Sequence, residues 1–142
     1  MESGEDYDTA LLRILKENSR TSLREMAKIV PLSPSSIRNR LARLVEKGII
    51  ERFTIDVDHR KLGYEIQVLI LITAKPGTSD KVHRTLETFD EISKIYWTTG
   101  PASFFCIAQL KDMSDLSRFM NRKIEKLPGI ERIETLFVLP RP

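Results

Sequence analysis

The chain has 142 residues, 41% hydrophobic and 30% charged, with a net charge of +3. That is enough for one ordinary domain or two small ones, and it excludes a disordered or fibrous chain. The longest apolar run, from Val68 to Ala74, is too short to span a bilayer. The acidic start, MESGEDYD, does not fit a secretory signal, so a soluble cytoplasmic protein away from membranes is expected. The single cysteine, Cys106, excludes an internal disulfide or a cysteine cluster for metal. His59 and His83 supply metal chemistry poorly, so neither a metal nor a cofactor is expected.

Charge is unevenly spread. Residues 1–19 hold five acidic side chains and two basic ones, whereas residues 20–52 hold eight basic and three acidic. On helical sequence such a block is either a phosphate-binding surface or a solvated helix face. Three short helices are expected there. Leu11, Leu12, Ile14 and Leu15 form the apolar stripe of the first, with Asp8 as its N-cap. Asn18, Ser19 and Arg20 end it. Ser22-Leu23-Arg24-Glu25 is a capping box, S-x-x-E, opening a second helix that runs to Val30. Met26, Ala27 and Val30 face inward, and Pro31 stops the helix. Ser33 caps a third, with Pro34 at its first position. Ile37, Leu41, Leu44 and Val45 are its buried stripe, and Gly48 ends it. Two helices so closely spaced, with small Ala27 at their crossing, describe a helix-turn-helix. Residues 49–57 then alternate as a strand does, and residues 59–63 read as a linker.

The second half has another grammar. Strands are expected at 65–73, 92–98, 103–110 and 130–139. A helix at 79–89 presents Val82, Leu86 and Phe89. Another, capped by Asp112 or Ser114, presents Leu116, Phe119, Met120, Ile124 and Leu127. The order β-α-β-β-α-β is the ferredoxin-like unit. The chain is therefore read as α+β: a helix-turn-helix, winged-helix-like domain at 1–52, strand and linker at 53–63, and a ferredoxin-like domain at 64–142. In that unit both helices cover one sheet face, yet both faces read apolar. Ile66, Val68, Ile70 and Ile72 oppose Leu69 and Leu71; Phe105 and Ile107 oppose Phe104, Cys106, Ala108 and Leu110. Ile133, Phe137 and Leu139 oppose Leu136 and Val138. A second apolar face needs cover, and a second copy packed sheet on sheet supplies it.

These stretches together resemble the Lrp/AsnC, or feast/famine, transcription regulators. The resemblance runs from Asp8 to Leu139 without a gap. It is carried by Ala10-Leu11-Leu12-x-Ile14-Leu15, by Ser22-Leu23-Arg24-Glu25-Met26-Ala27, and by the run from Leu32 to Leu41. Leu44-x-x-x-Gly48-Ile49-Ile50, Leu62-Gly63, Thr99-Gly100 and Leu127-Pro128-Gly129-Ile130 continue it. No one motif is diagnostic; their order and spacing are. The resemblance implies that the first domain binds double-stranded DNA. It implies that the second forms homodimers, often octamers, and senses a small effector, usually an amino acid. Two positions depart from the family. Pro31 stands where the helix-turn-helix turn usually has glycine. Gly100-Pro101-Ala102-Ser103 stands where the family commonly shows G-x-x-D, whose aspartate helps to hold the effector's amino group. Serine brings no charge, and charge-assisted hydrogen bonds are about twice as strong as neutral ones.

On the third helix, 100° per residue turns Ser35, Ser36, Asn39, Arg40 and Arg43 away from the buried stripe, with Arg38 on its flank. Ser35, Ser36, Arg38 and Asn39 are the candidates for base edges, since arginine suits guanine and asparagine suits adenine. Arg43, Thr21, Ser22 and Arg24 are candidates for phosphates, although capping alone explains Ser22. Arg40 suits either a phosphate or an internal brace. By position in the family, Thr98, Thr99, Gly100, Ser103 and Thr135 are the effector-site candidates. Tyr96 and Trp97 read as core or interface aromatics, and Cys106 as a buried hydrophobe. His83, on a charged helical surface, and His59 have no neighbour in sequence that points to catalysis. Two rivals stand beside the regulator: an architectural protein that coats DNA, and an enzyme resembling tetrapyrrole decarboxylases of the same architecture. The enzyme needs cationic and histidine side chains around a porphyrin. Two histidines and an intact basic third helix speak against it.

Overall fold

Three helices open the computed structural model, which describes residues 4–141: α1 (Gly4–Glu17), α2 (Leu23–Ile29) and α3 (Pro34–Glu46). They pack around Leu11, Met26, Val30 and Ile37, all buried. Each such side chain removed from water contributes about 1.5–3 kcal/mol. Asp8 is not an N-cap, as the sequence led us to expect. It lies inside α1, where its carboxylate accepts from Arg40 at 3.1 Å. A capping aspartate and one that pairs across 32 residues look alike in sequence. The two later caps form as expected. Ser22 and Glu25 make both bonds of the capping box, and Ser33 accepts from the Ser36 amide, with Pro34 beginning the helix.

The turn between α2 and α3 solves the proline problem without a left-handed residue. Proline forces the residue before it toward extended backbone, and Val30 has φ −112° and ψ 145°. The Leu32 amide then donates to the Val30 carbonyl at 2.8 Å, a three-residue γ-turn about Pro31. α3 ends at Glu46 with Lys47 as its C-cap, followed by Gly48 with φ +73°. Val45, expected in the buried stripe, is 47% exposed; Ile37 and Leu44 carry the burial instead. Residues 49–57, expected as a strand, form neither strand nor helix. Alternation alone does not make a strand; a hydrogen-bonding neighbour is needed too. The Ile50 amide donates back to the Leu44 carbonyl at 3.0 Å, and among the described residues no backbone bond reaches residues 51–57.

The chain divides into two compact units between Asp56 and Val57. In the second, the elements are β1 (Ile66–Ala74), α4 (Ser79–Leu86), β2 (Ile92–Trp97), β3 (Phe104–Leu110), α5 (Met113–Phe119) and β4 (Ile130–Phe137). α5 is capped by Asp112, whose carboxylate accepts from the Asp115 amide at 2.7 Å, and it runs on into a π-helical turn at Met120–Ile124. The strands form one antiparallel sheet in the order β2-β3-β1-β4. With helices between β1 and β2 and between β3 and β4, this is the expected ferredoxin-like arrangement. α4 stops three residues short of Phe89, which still packs edge-on against Phe119, 5.9 Å between centroids.

Val68, Ile70, Ile72, Phe104, Cys106 and Ala108 are fully buried in one core with Val82 and Leu86 of α4 and Phe119 of α5. That is the helix-covered face. The opposite face carries Leu69, Leu71, Phe105 and Ile107, all half-buried, and Leu136, 54% exposed. The register places Leu71 between Phe105 and Glu134, and Leu69 between Ile107 and Leu136. Gln67 and Gln109 lie opposite each other on this same open face. At the start of β4, Gly129 has φ +90°, and a Cβ there would stand 2.8 Å from the Thr78 side chain. Only glycine fits.

Burial pushes the Cys106 thiol up to about 12 by penalising the thiolate. Thiolate is the reactive form. At pH 8 the folded protein should therefore resist a thiol-disulfide reagent such as Ellman's reagent, and one thiol per chain should appear on unfolding in urea. Rapid reaction without urea would show that this core opens readily.

Candidate nucleic-acid interface and effector site

α3 presents two unlike faces. Ile37 packs into the core of the first unit, and Leu44 is buried on the same side of the helix. On the other side Ser35, Arg38 and Asn39 are exposed at spacings of three and four residues, which stack on one face. Arg43 lies one turn further along that face, also exposed. Ser36 is half-buried, and its amide is taken by the Ser33 cap. The Ser35 hydroxyl is 3.2 Å from the Ser33 hydroxyl, which ties it to the cap while leaving it at the surface. On α2, Arg24 is exposed.

Three other candidates are committed within the fold. Ser22 is occupied by its capping box. The Thr21 hydroxyl donates to the Asn18 carbonyl at 2.7 Å, fixing the turn that leads into α2. Arg40 donates to Asp8 at 3.1 Å and lies 5.5 Å from the centre of the Tyr7 ring. Arg40 is thus engaged as a brace between α1 and α3. Sequence left that open, because the partner is 32 residues away.

The loop between β2 and β3 is stitched by its own hydrogen bonds. Thr98 donates its amide to the Ser103 carbonyl and its hydroxyl to the Ala102 carbonyl, at 2.9 and 2.8 Å. Ser103 donates its amide to the Ile72 carbonyl at 2.8 Å, and its hydroxyl oxygen accepts from the Ala74 amide at 3.1 Å. Thr73 donates to the Pro101 carbonyl at 3.1 Å. Ser103 therefore holds the end of β1, just where its register with β4 shifts between Thr73 and Ala74. Thr99 and Gly100 are exposed, and Gly100 has φ +98°. Thr135 sits opposite Ile70 on β4, while Thr98 follows β2 at the other edge of the sheet and Ser103 leads into β3, two strands from β4. Three strand spacings, about 14 Å, separate those edges.

Sequence reading missed one cluster beside the loop. His83 packs against Trp97 and Phe104, with ring centroids 4.9 and 5.8 Å away, and its Nε2 is 3.8 Å from the Glu87 carboxylate. It does not sit on a merely charged surface as expected. Helical spacing gave the Glu87 contact a signal; nothing local signalled the stack on Trp97. Among the described residues, no group of three or more His, Cys, Asp or Glu could hold a metal ion. No described helix is long and apolar enough to cross a membrane.

Comparison with known proteins agrees with this geometry unit by unit. Residues 5–51 match a winged helix-turn-helix DNA-binding model, and residues 67–142 match the Lrp/AsnC ligand binding domain. The transcriptional regulator Ptr1 of Methanocaldococcus jannaschii is 36% identical over 132 residues, covering 93% of this chain and 89% of that protein. The solved structure of AsnC from E. coli superposes with a TM-score of 0.87 at 33% identity, over 96% of this chain and 93% of that one. A transcriptional regulator from Neisseria meningitidis, solved as a complex with L-methionine, shares the fold with a TM-score of 0.88 at 22% identity, over 99% and 91% of the two chains. The chain belongs to the Lrp/AsnC family of transcriptional regulators, with a helix-turn-helix unit for DNA and the family's ligand-binding domain.

Proposed function

We propose that α3 enters the major groove and reads base edges with Ser35, Ser36, Arg38 and Asn39, while Arg24 and Arg43 contact phosphates. The observation that carries this is the exposed Ser35–Arg38–Asn39 face on a helix whose other face holds the domain together. A helix anchored in this way projects its first turns into the groove without loss of stability. Two such helices act together in a cytoplasmic dimer, with the open sheet faces covering each other. Half-buried Leu71 and exposed Leu136 support that cover, because uncovered apolar area of this kind marks an association surface. Band-shift titration against the DNA upstream of the protein's own gene, with an unrelated duplex as competitor, tests the reading. Equal competition by the two duplexes would defeat it.

The effector is an amino acid or a close relative, sensed near Thr98, Thr99, Gly100 and Ser103. The methionine bound to the Neisseria regulator supports the class. With Ser103 in place of an acid, neutral amino acids should bind weakly, in the high micromolar range or poorer. Ser103→Asp should tighten binding about five- to thirty-fold, or about 1–2 kcal/mol. One new carboxylate oxygen can still accept from Ala74, while the other meets the ammonium group in a charge-assisted bond. Trp97, the only tryptophan, adjoins the loop and reports binding by fluorescence. Calorimetry across the twenty amino acids gives the affinities. A submicromolar ligand for the unmodified protein would show that another carboxylate already fills the role.

A further inference from the structure

The chain has two glutamines, Gln67 and Gln109, and they stand opposite each other on the open face of the sheet. Gln109 is only 9% exposed and Gln67 is half-buried. Among the described residues, neither side-chain amide has a hydrogen-bond partner, and no fully buried side-chain nitrogen or oxygen lacks one. The Gln109 amide therefore reaches the open face although the rest of the residue is covered. The next rows of that face are apolar: Leu69 beside Ile107 and Leu136, then Leu71 beside Phe105. Two amides at one end of an apolar contact surface cost free energy when covered, unless what covers them bonds to them.

Two identical sheets aligned face to face are related by a two-fold axis between them, running along the strands or across them. The centre of the order β2-β3-β1-β4 is the seam between β3 and β1. An axis along that seam lays β1 on the partner's β3, row for row. Gln67 then faces the partner's Gln109, Leu69 the partner's Ile107, and Leu71 the partner's Phe105. Tyr96 and Glu134, both in the Leu71 row, face each other from opposite edges, phenol to carboxylate. Lys94 lies over Leu136 but keeps its ammonium 4.9 Å from the centre of its own Tyr96 ring. An axis across the strands reverses the rows. It sets Glu134 against Leu136, and Gln109 against Ser103, whose hydroxyl oxygen already accepts from the Ala74 amide. With sheets about 10 Å apart, glutamines from both sides meet midway. An amide both donates and accepts, so it complements another amide. We infer that Gln67 and Gln109 select the subunit's partner. They hydrogen-bond to the same two residues of a second copy, and they reject a chain that presents apolar side chains at this end of the sheet. A covered polar group fixes partner and register in this way at an otherwise apolar contact. The inference rests on the sheet-face dimer proposed above.

Subunit exchange in the full-length chain tests the selection. Wild type and the double variant Gln67→Leu/Gln109→Leu, one of them isotope-labelled, are mixed in equal amounts, and native mass spectrometry counts the dimers. Without selection, half of all dimers are mixed. The mixed dimer should instead be depleted about ten-fold, because it leaves two amides covered and unbonded. The double variant alone should dimerise at least as tightly as wild type, since well-packed apolar side chains replace a bonded polar cluster without loss. Circular dichroism checks its fold. Single charges at the exposed end of the same amides read the facing. Mixing Gln67→Glu with Gln109→Lys should enrich the mixed dimer more than mixing Gln67→Glu with Gln67→Lys, because residue 67 faces residue 109 and not its own copy. A statistical share of mixed dimer in the first experiment, or stronger enrichment from the two residue-67 variants in the second, would overturn the selection. Wild type that stays monomeric would overturn the sheet-face dimer itself, so the two failures are distinguishable.

Discussion

Replacing Asn39 by alanine should relax base preference at one position in each half-site, at a cost of about 1–3 kcal/mol on the preferred duplex. Arg38→Ala should do the same at a neighbouring position. Arg43→Ala should behave differently. It should weaken every duplex alike and flatten the dependence of log affinity on log salt, by about 0.9 for each phosphate no longer neutralised. The contrast follows from chemistry. An asparagine amide matches the donor and acceptor of adenine, and arginine matches guanine, whereas a phosphate has no sequence. Asn39, Arg38 and Arg43 are all exposed, so truncation changes stability by no more than about 0.5 kcal/mol. Fluorescence anisotropy on a panel of single-base duplex variants, repeated at three salt concentrations, separates the two classes. An Asn39→Ala profile identical to wild type would place the reading face elsewhere.

Leu71→Asp should convert the assembled protein to a folded monomer. In the isolated chain Leu71 is only half-buried, between Phe105 and Glu134, so one chain solvates the new carboxylate at small cost. In a symmetric pair of sheets the change arrives twice, once from each copy. Burying unpaired charges there costs several kcal/mol each. The dissociation constant should rise by at least a thousand-fold. Sedimentation equilibrium measures it, and circular dichroism checks that the monomer keeps its helices. An undiminished dimer would show that the open sheet face is not the contact.

The helices and strands were readable because their signals are local. Ser22-Leu23-Arg24-Glu25 and Ser33-Pro34 each fix a helix start through partners three residues away, and both formed. Three of the four strands followed from alternation, and their two apolar faces could be sorted residue by residue before any register was known; β2 does not alternate. What escaped depends on distant partners. Asp8 reads as a cap until Arg40 is placed beside it. Ser103 reads as a substitute for an acid until its hydroxyl is found to accept the Ala74 amide. His83 reads as a surface residue until Trp97 lies against it. Residues 49–57 fail for another reason: their alternation is genuine, but a strand needs a neighbour, and a single described chain does not provide one. The candidate site divides along the same line. Ser35, Arg38 and Asn39 follow from helical spacing alone, whereas the placing of Thr135 on one edge of the sheet and Thr98 beside the other depends on strand pairing.

The most direct test of a sequence-reading dimer is selection of bound duplexes from a random pool by the full-length protein, at near-physiological salt. The enriched sequences should form a rough palindrome whose half-sites are centred about one helical turn, roughly 10–10.5 base pairs, apart. Selection with Asn39→Ala should keep that spacing and lose preference at one position per half-site. A pool that stays random after repeated rounds, or enriched sites without two-fold symmetry, would contradict the account.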